Sequence, residues 1–263
     1  MSIRIVKKLV ATLIVFIFAA SAPTATGADD VRKRYELKVG DFTKLDVEDS
    51  FNVEYRCSHD SAGLAVYTTV PSLADKIIFE NNNKGKLKIE KPFRQDGQLD
   101  EGLPTITVYS RFLKEVSNGG DSTVRVVNIR PTMEIKATVI GNGRVILRDL
   151  ECSKFDGAIK TGNGTLVVTG KCENATLVNT GVGTIQADNL EANNVSAQFL
   201  GTGTTGCWPV ETLKVKGVMS GKLYYRGNSA KIKNYSMGVK IYNLDGAEWK
   251  GSKEAEPADE KEK

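Results

Sequence analysis

The chain has 263 residues, 40% of them apolar and 26% charged, which is ordinary for a folded globular protein and enough for one sizeable core. Its 36 Lys and Arg against 32 Asp and Glu give a formal charge of +4. Three of the basic residues lie in the first 28 positions, which hold no acid, so the remainder carries 33 against 32, a net +1. That balance excludes the one-sided positive field by which proteins hold nucleic acid.

The N-terminus reads as an export signal. Arg4, Lys7 and Lys8 precede an apolar run from Leu9 to Ala20, interrupted only by Thr12. The run has the length of a signal-peptide core and is short for a membrane span. The small residues Ala25, Gly27 and Ala28 place a cleavage site after Ala28, so residues 1–28 are the predicted signal peptide. The first cysteine is Cys57, so no thiol stands at that site to carry a lipid. No other stretch is apolar enough to span a bilayer, and the mature chain is expected to have no transmembrane segment, in the periplasm or at the cell surface. Export permits disulfides among Cys57, Cys152, Cys172 and Cys207, and no pair has the CxxC spacing of a zinc or redox motif.

Residues 29–117 suggest an N-terminal β cap together with first, irregular coils. Phe42, Leu45, Val47, Phe51 and Val53 mark one strand pair, and Leu64, Val66 and Tyr67 another. Ile77 to Glu80, Leu87 to Ile89 and Ile106 to Tyr109 continue the pattern, with a hairpin-like turn at Asn81 to Gly85. Residues 92–104 read as a loop.

Residues 118–250 carry an internal repeat. Gly-x-Gly recurs at Gly141–Gly143, Gly162–Gly164, Gly181–Gly183 and Gly201–Gly203, opened by Gly119-Gly120 and closed by a degenerate copy at Gly221. From Gly120 to Gly221 the second glycines are spaced by 23, 21, 19, 20 and 18 residues. After each come alternating apolar positions such as Val145/Leu147, Leu166/Val168 and Leu223/Tyr225, and later a second set such as Ala175/Leu177 and Leu213/Val215. Period-two alternation marks strands with one buried face, and no helical spacing appears. About 20 residues hold one coil of a solenoid, whose neighbours stack at about 4.8 Å. The glycines fall where the chain turns sharply, with φ positive or backbone against backbone, and Asn142 and Asn163 suit the same corner as a short ladder. A β-sandwich explains the alternation but not glycine pairs returning every 20 residues. The expected fold is therefore all-β, a right-handed parallel β-helix with an irregular N-terminal β cap. Residues 251–263, rich in Glu and Lys, read as a disordered charged tail.

Several segments resemble the auto-transporter adhesin head GIN domain family: Val39 to Tyr55 (VGDFTKLDVEDSFNVEY), Gly85 to Glu90 (GKLKIE), Thr105 to Val124 (TITVYSRFLKEVSNGGDSTV), the Gly-x-Gly coils, and Met219 to Asn228 (MSGKLYYRGN). The resemblance covers about residues 35 to 245. It implies a right-handed parallel β-helix in the envelope or outside the cell, and brings no catalytic residues. After Trp249 only the charged tail follows, so a C-terminal membrane barrel is not indicated.

No constellation in the sequence calls for catalysis, a cofactor or a metal. Enzymes on β-helices that act on acidic polysaccharides need stacked carboxylates on one face. Five residues past the second glycine the coils read Arg148, Thr169, Asp188 and Trp208, and six past it Asp149, Gly170, Asn189 and Pro209, so neither offset stacks two acids. Asp149 and Asp188 suit turns. His59, the only histidine, stands two residues from Cys57, but no orienting third group is evident. Cys152 and Cys172 fall nine and eight residues past their glycines, one coil apart, where either a disulfide or a pair of buried thiols fits. Trp208 and Tyr224 are the aromatic candidates for a binding surface. The sequence thus points to a non-catalytic, adhesin-like or scaffold protein that recognises a glycan or an envelope protein along a β-helix face. A polysaccharide lyase or hydrolase on the same fold, and a structural part that self-assembles as a homo-oligomer, are the alternatives.

Overall fold

The computed structural model describes residues 31–91, 103–227 and 230–245. The export signal, the charged tail and most of the 92–104 loop lie outside the described residues. Strands β1 (Lys33–Lys38), β2 (Lys44–Val47), β3 (Val53–Cys57) and β4 (Leu64–Thr69) precede a single helical turn, α1 (Pro71–Ala74). Then come β5 (Ile78–Asn81), β6 (Lys86–Glu90), β7 (Ile106–Ser110), β8 (Glu115–Asn118), β9 (Thr123–Val127) and β10 (Thr132–Val139). The long strands β11 (Arg144–Ile159), β12 (Thr165–Asn179), β13 (Thr184–Phe199) and β14 (Thr204–Gly217) each make most of a coil. β15 (Lys222–Tyr225), β16 (Lys231–Ser236) and β17 (Lys240–Asn243) end the stack. The helical turn was not expected from the sequence. Pro71 at its first position has the φ of a helix start and no N–H to satisfy.

The strands form a parallel β-solenoid of about 6 turns. One face, here face I, runs β6–β2–β8–β10 and then through the later halves of β11 to β14 to β16. Face II runs β7–β3–β9, then through the earlier halves of β11 to β14, and on to β15 and β17. A short third side, at residues 150–152, 170–172 and 190–192, joins the two. Level order is not chain order at the N-terminal end: the β2–β3 level lies between β6–β7 and β8–β9. That end is closed by antiparallel strands, β5 on β6 and the β1–β4 pair on β7.

Alternation builds the core. The column Leu45, Val116, Ala137, Gly157, Leu177, Ala197, Val215 runs up the inside of face I, and Val124, Val145, Leu166, Ile185, Thr205, Leu223 up face II. Large residues meet small ones: a methyl at Gly221 would lie 2.3 Å from the Phe199 ring. The corner glycines serve mainly close approach. A methyl at Gly183 would sit 2.2 Å from the Gly164 carbonyl oxygen of the coil below, while at Gly162 the backbone also needs φ +73°. Buried asparagines satisfy the corners: Asn118 Nδ2 donates to the carbonyls of Ser122 and Arg144, and Asn179 Nδ2 to those of Gly183 and Thr204. Asn142 and Asn163 are linked as side chain to backbone, the Asn163 N–H donating to Asn142 Oδ1 at 3.1 Å. A side-chain ladder stands elsewhere, on face I, where Asn194 donates to Asn174 and Thr212 to Asn194.

Candidate functional site

On face II the row Arg125, Ile146, Val167, Gln186, Gly206, Tyr224, Tyr242 points away from the core, but Ile146, Gln186 and Gly206 are buried, and the row opens to solvent at its tyrosine end. Tyr224 lies flat on Tyr242, ring centroids 5.0 Å apart and planes 20° apart, and Tyr242 is 41% exposed. Gly206, the register partner one strand below Tyr224, contributes no side chain and is itself buried. The next residue, Tyr225, points the other way and packs on the core. Trp208 is half-buried, at the corner where β14 leaves face II, with its indole beside Gly227.

That corner exists because β14 is cut short. Cys207 pairs with Ala187, but the next residue, Trp208, pairs with Glu191, so residues 188–190 of the coil below have no counterpart. Asp188 lies in this skipped segment. It is not the turn residue that the sequence suggested: it lies in β13 and is 1% exposed, with Arg226 Nη2 3.5 Å from one carboxylate oxygen and, among the described residues, no hydrogen bond to the other. Burial pushes its carboxyl above the ordinary 3.8, against the smaller opposing pull of Arg226. Asp149 is exposed but does not stand in a turn either: it lies inside β11, at the register irregularity between Leu147 and Leu150, with φ 54°. Burial, with Asp188 nearby, also pushes the Cys207 thiol far up, which keeps it protonated and unreactive.

The other sequence candidates are placed as follows. Cys152 and Cys172 are register partners on the short third side, both buried free thiols in mutual hydrogen-bond contact. Cys57 donates to the Arg111 carbonyl at 3.1 Å while the exposed His59 ring packs edge-on against Phe112, so the two do not act on one another. Among the described residues no three His, Cys, Asp or Glu side chains are grouped to hold a metal ion.

Sequence reasoning missed Tyr242, although it follows Tyr224 by 18 residues, the interval that separates Gly203 from Gly221. It also missed a groove of about 730 Å³ in the N-terminal cap. Tyr35, Tyr67 and Phe79 stack along this groove at 5.3 and 6.0 Å, with Leu37 and Ile77 beside them. No periodicity signals it, because β1, β4 and β5 meet there from outside the repeat.

Solved structures share this fold. A "putative adhesin" from Bacteroides fragilis superposes with a TM-score of 0.72 at 24% identity, covering 81% of this chain and 97% of its own. A "putative lipid binding protein" from Parabacteroides distasonis reaches 0.66 at 21% identity, covering 81% and 96%. A "putative adhesin" from Parabacteroides merdae reaches 0.64 at 18% identity, covering 81% and 95%. No curated protein matches the chain in sequence. The family model described as "Putative auto-transporter adhesin, head GIN domain" matches residues 41–229, from β2 through β15, and the chain belongs to that family.

Proposed function

We propose that this chain is an exported, non-catalytic binding protein of the bacterial envelope, and that it recognises a glycan at the aromatic end of face II. The observation that carries the reading is the aromatic end of that face, where Tyr224 and Tyr242 form a flat stack, with Trp208 at the adjoining corner. Aromatic rings held at a fixed angle offer sugar rings an apolar surface at little conformational cost. The adhesin-like family and the apolar run at residues 9–20 support export. A glycan array followed by calorimetry tests the site. Tyr242→Ala and Trp208→Ala are expected each to weaken a bound glycan at least tenfold with unchanged folding. Undiminished binding in both variants overturns the assignment to face II. Protease digestion on intact cells against a lysed control separates surface from periplasm.

A second reading is favoured by the cap groove. Its aromatic and aliphatic lining suits an apolar ligand, as the description of the Parabacteroides distasonis relative suggests for that protein. Displacement of a fluorescent fatty acid, lost in Phe79→Ser, tests it.

A further inference from the structure

The charges on face I are sorted by level. Towards the N-terminal cap, outward lysines meet acids across the strands: Lys86 with Asp46, Lys44 with Glu115, Lys88 with Glu48 and Glu90, and Lys154 with Glu134 and Asp156. The middle levels present the uncharged Asn174, Thr176, Asn194 and Ser196. The last two strands carry Lys214, Lys216, Lys231 and Lys233, all exposed, and among the described residues none of the four has an acid within ion-pair distance. Lys214 lies directly opposite Lys233 in the register. Like charges so placed repel.

The same lysines border an apolar groove. Lys214, Lys216, Gly217, Val218, Tyr235 and Met237 line a shallow trough of about 470 Å³. Its apolar members are unusually bare: Met237 is 89% exposed, Val218 69% and Tyr235 61%. Tyr235 is the register partner of Lys216, and the Lys214 ammonium stands 5.7 Å from its ring.

We infer that this end of face I docks on an anionic phospholipid surface. The lysines supply attraction to negative headgroups, and their stems lie along apolar neighbours while the ammonium groups stay wet. Tyr235 suits the interface, with an apolar ring and a polar tip. Val218 and Met237 are free to enter the acyl boundary. An acidic polysaccharide would answer the lysines but leave the exposed valine and methionine unmatched, so the bilayer is the better complement. The site lies on another face from the aromatic stack and does not depend on glycan binding there.

Vesicle flotation of the chain from Asp29 tests the inference. Binding is expected to phosphatidylcholine vesicles containing phosphatidylglycerol, with little to phosphatidylcholine alone, and to fall as salt rises. Each lysine contributes about fivefold, so Lys214→Gln with Lys233→Gln is expected to weaken partitioning about 25-fold. That pair should keep the wild-type circular dichroism, so that lost binding is not lost folding. Val218→Ser with Met237→Ser should weaken binding while leaving its salt dependence in place. Lys44→Gln with Lys86→Gln, which removes paired lysines, should leave binding unchanged. Absence of phosphatidylglycerol-dependent binding overturns the inference, as does binding undiminished in the Lys214/Lys233 variant. Capture of soluble polygalacturonate with no capture of vesicles also overturns it, and reassigns the lysines to an acidic glycan.

Discussion

Replacing Gly183 with alanine probes the feature on which every coil depends. The new methyl would lie 2.2 Å from the carbonyl oxygen of Gly164, where ordinary contact begins at 3.4 Å. Relief requires the two coils to part locally by more than 1 Å. The Gly164 carbonyl accepts a hydrogen bond from the Thr184 N–H at 3.0 Å, which such a movement breaks. A lost buried hydrogen bond costs about 1 kcal/mol, and overpacking costs about 1–3 kcal/mol. Gly183→Ala is therefore expected to lose about 2–4 kcal/mol in urea unfolding followed by tryptophan fluorescence. Gly119 supplies the control. It also stands at a corner, but its nearest neighbours would lie 3.7 and 3.8 Å from a methyl, and its φ is not positive. Gly119→Ala should change stability by less than about 0.5 kcal/mol. A loss below about 1 kcal/mol at Gly183, or an equal loss at both positions, would falsify the close-approach argument.

Two further perturbations address buried chemistry. Burial holds the Asp188 carboxyl above its ordinary 3.8, so its contribution to stability is fully present below that pH and is lost as pH rises through the raised value. Asp188→Asn should therefore unfold at higher urea than wild type at pH 7 and at the same urea at pH 3; a variant weaker at pH 7 would mean that the Arg226 pair outweighs desolvation. Cys152 and Cys172 stand one strand apart, within the span that a disulfide bridges. We propose that mild oxidation joins them: intact mass should fall by two hydrogens in wild type and not in Cys152→Ser/Cys172→Ser. A bridge mapped instead to Cys57 or Cys207 would exclude the pairing.

The coils were legible in the sequence because one steric requirement recurs. Backbone must pass over backbone at each corner, and only glycine allows it, so Gly143, Gly164, Gly183 and Gly203 mark the turns in letters. Strand faces followed from alternation, and Tyr224 and Tyr225 separated outward and inward as expected. Burial of Asp188 was hidden because it comes from three skipped residues in the coil above, a feature of register rather than of any local pattern. The lysine patch was hidden by the charge balance. Lysines and acids nearly cancel along the chain, and only the register between β14 and β16 brings four lysines together without them. The cap groove was hidden for a related reason, since nothing local in β4 or β5 says that its partner runs antiparallel.

The placement of the β2–β3 level has a consequence for how the molecule comes to be. β2 bonds to β6 on one side and β8 on the other, and β3 to β7 and β9. All four partners lie later in the chain. A polypeptide emerging N-terminus first, from a ribosome or an export channel, therefore cannot wind its levels in order of appearance. β2 and β3 find their first partners only once β6 and β7 have been made, through residue 110, and their second only once β8 and β9 have, through residue 127. Beyond β9 the rule reverses, and each new turn lands on the one just completed. Assembly thus has two regimes, a slow closure across distant segments followed by sequential winding, and the closed end is the one that commits last among the earliest residues to be born.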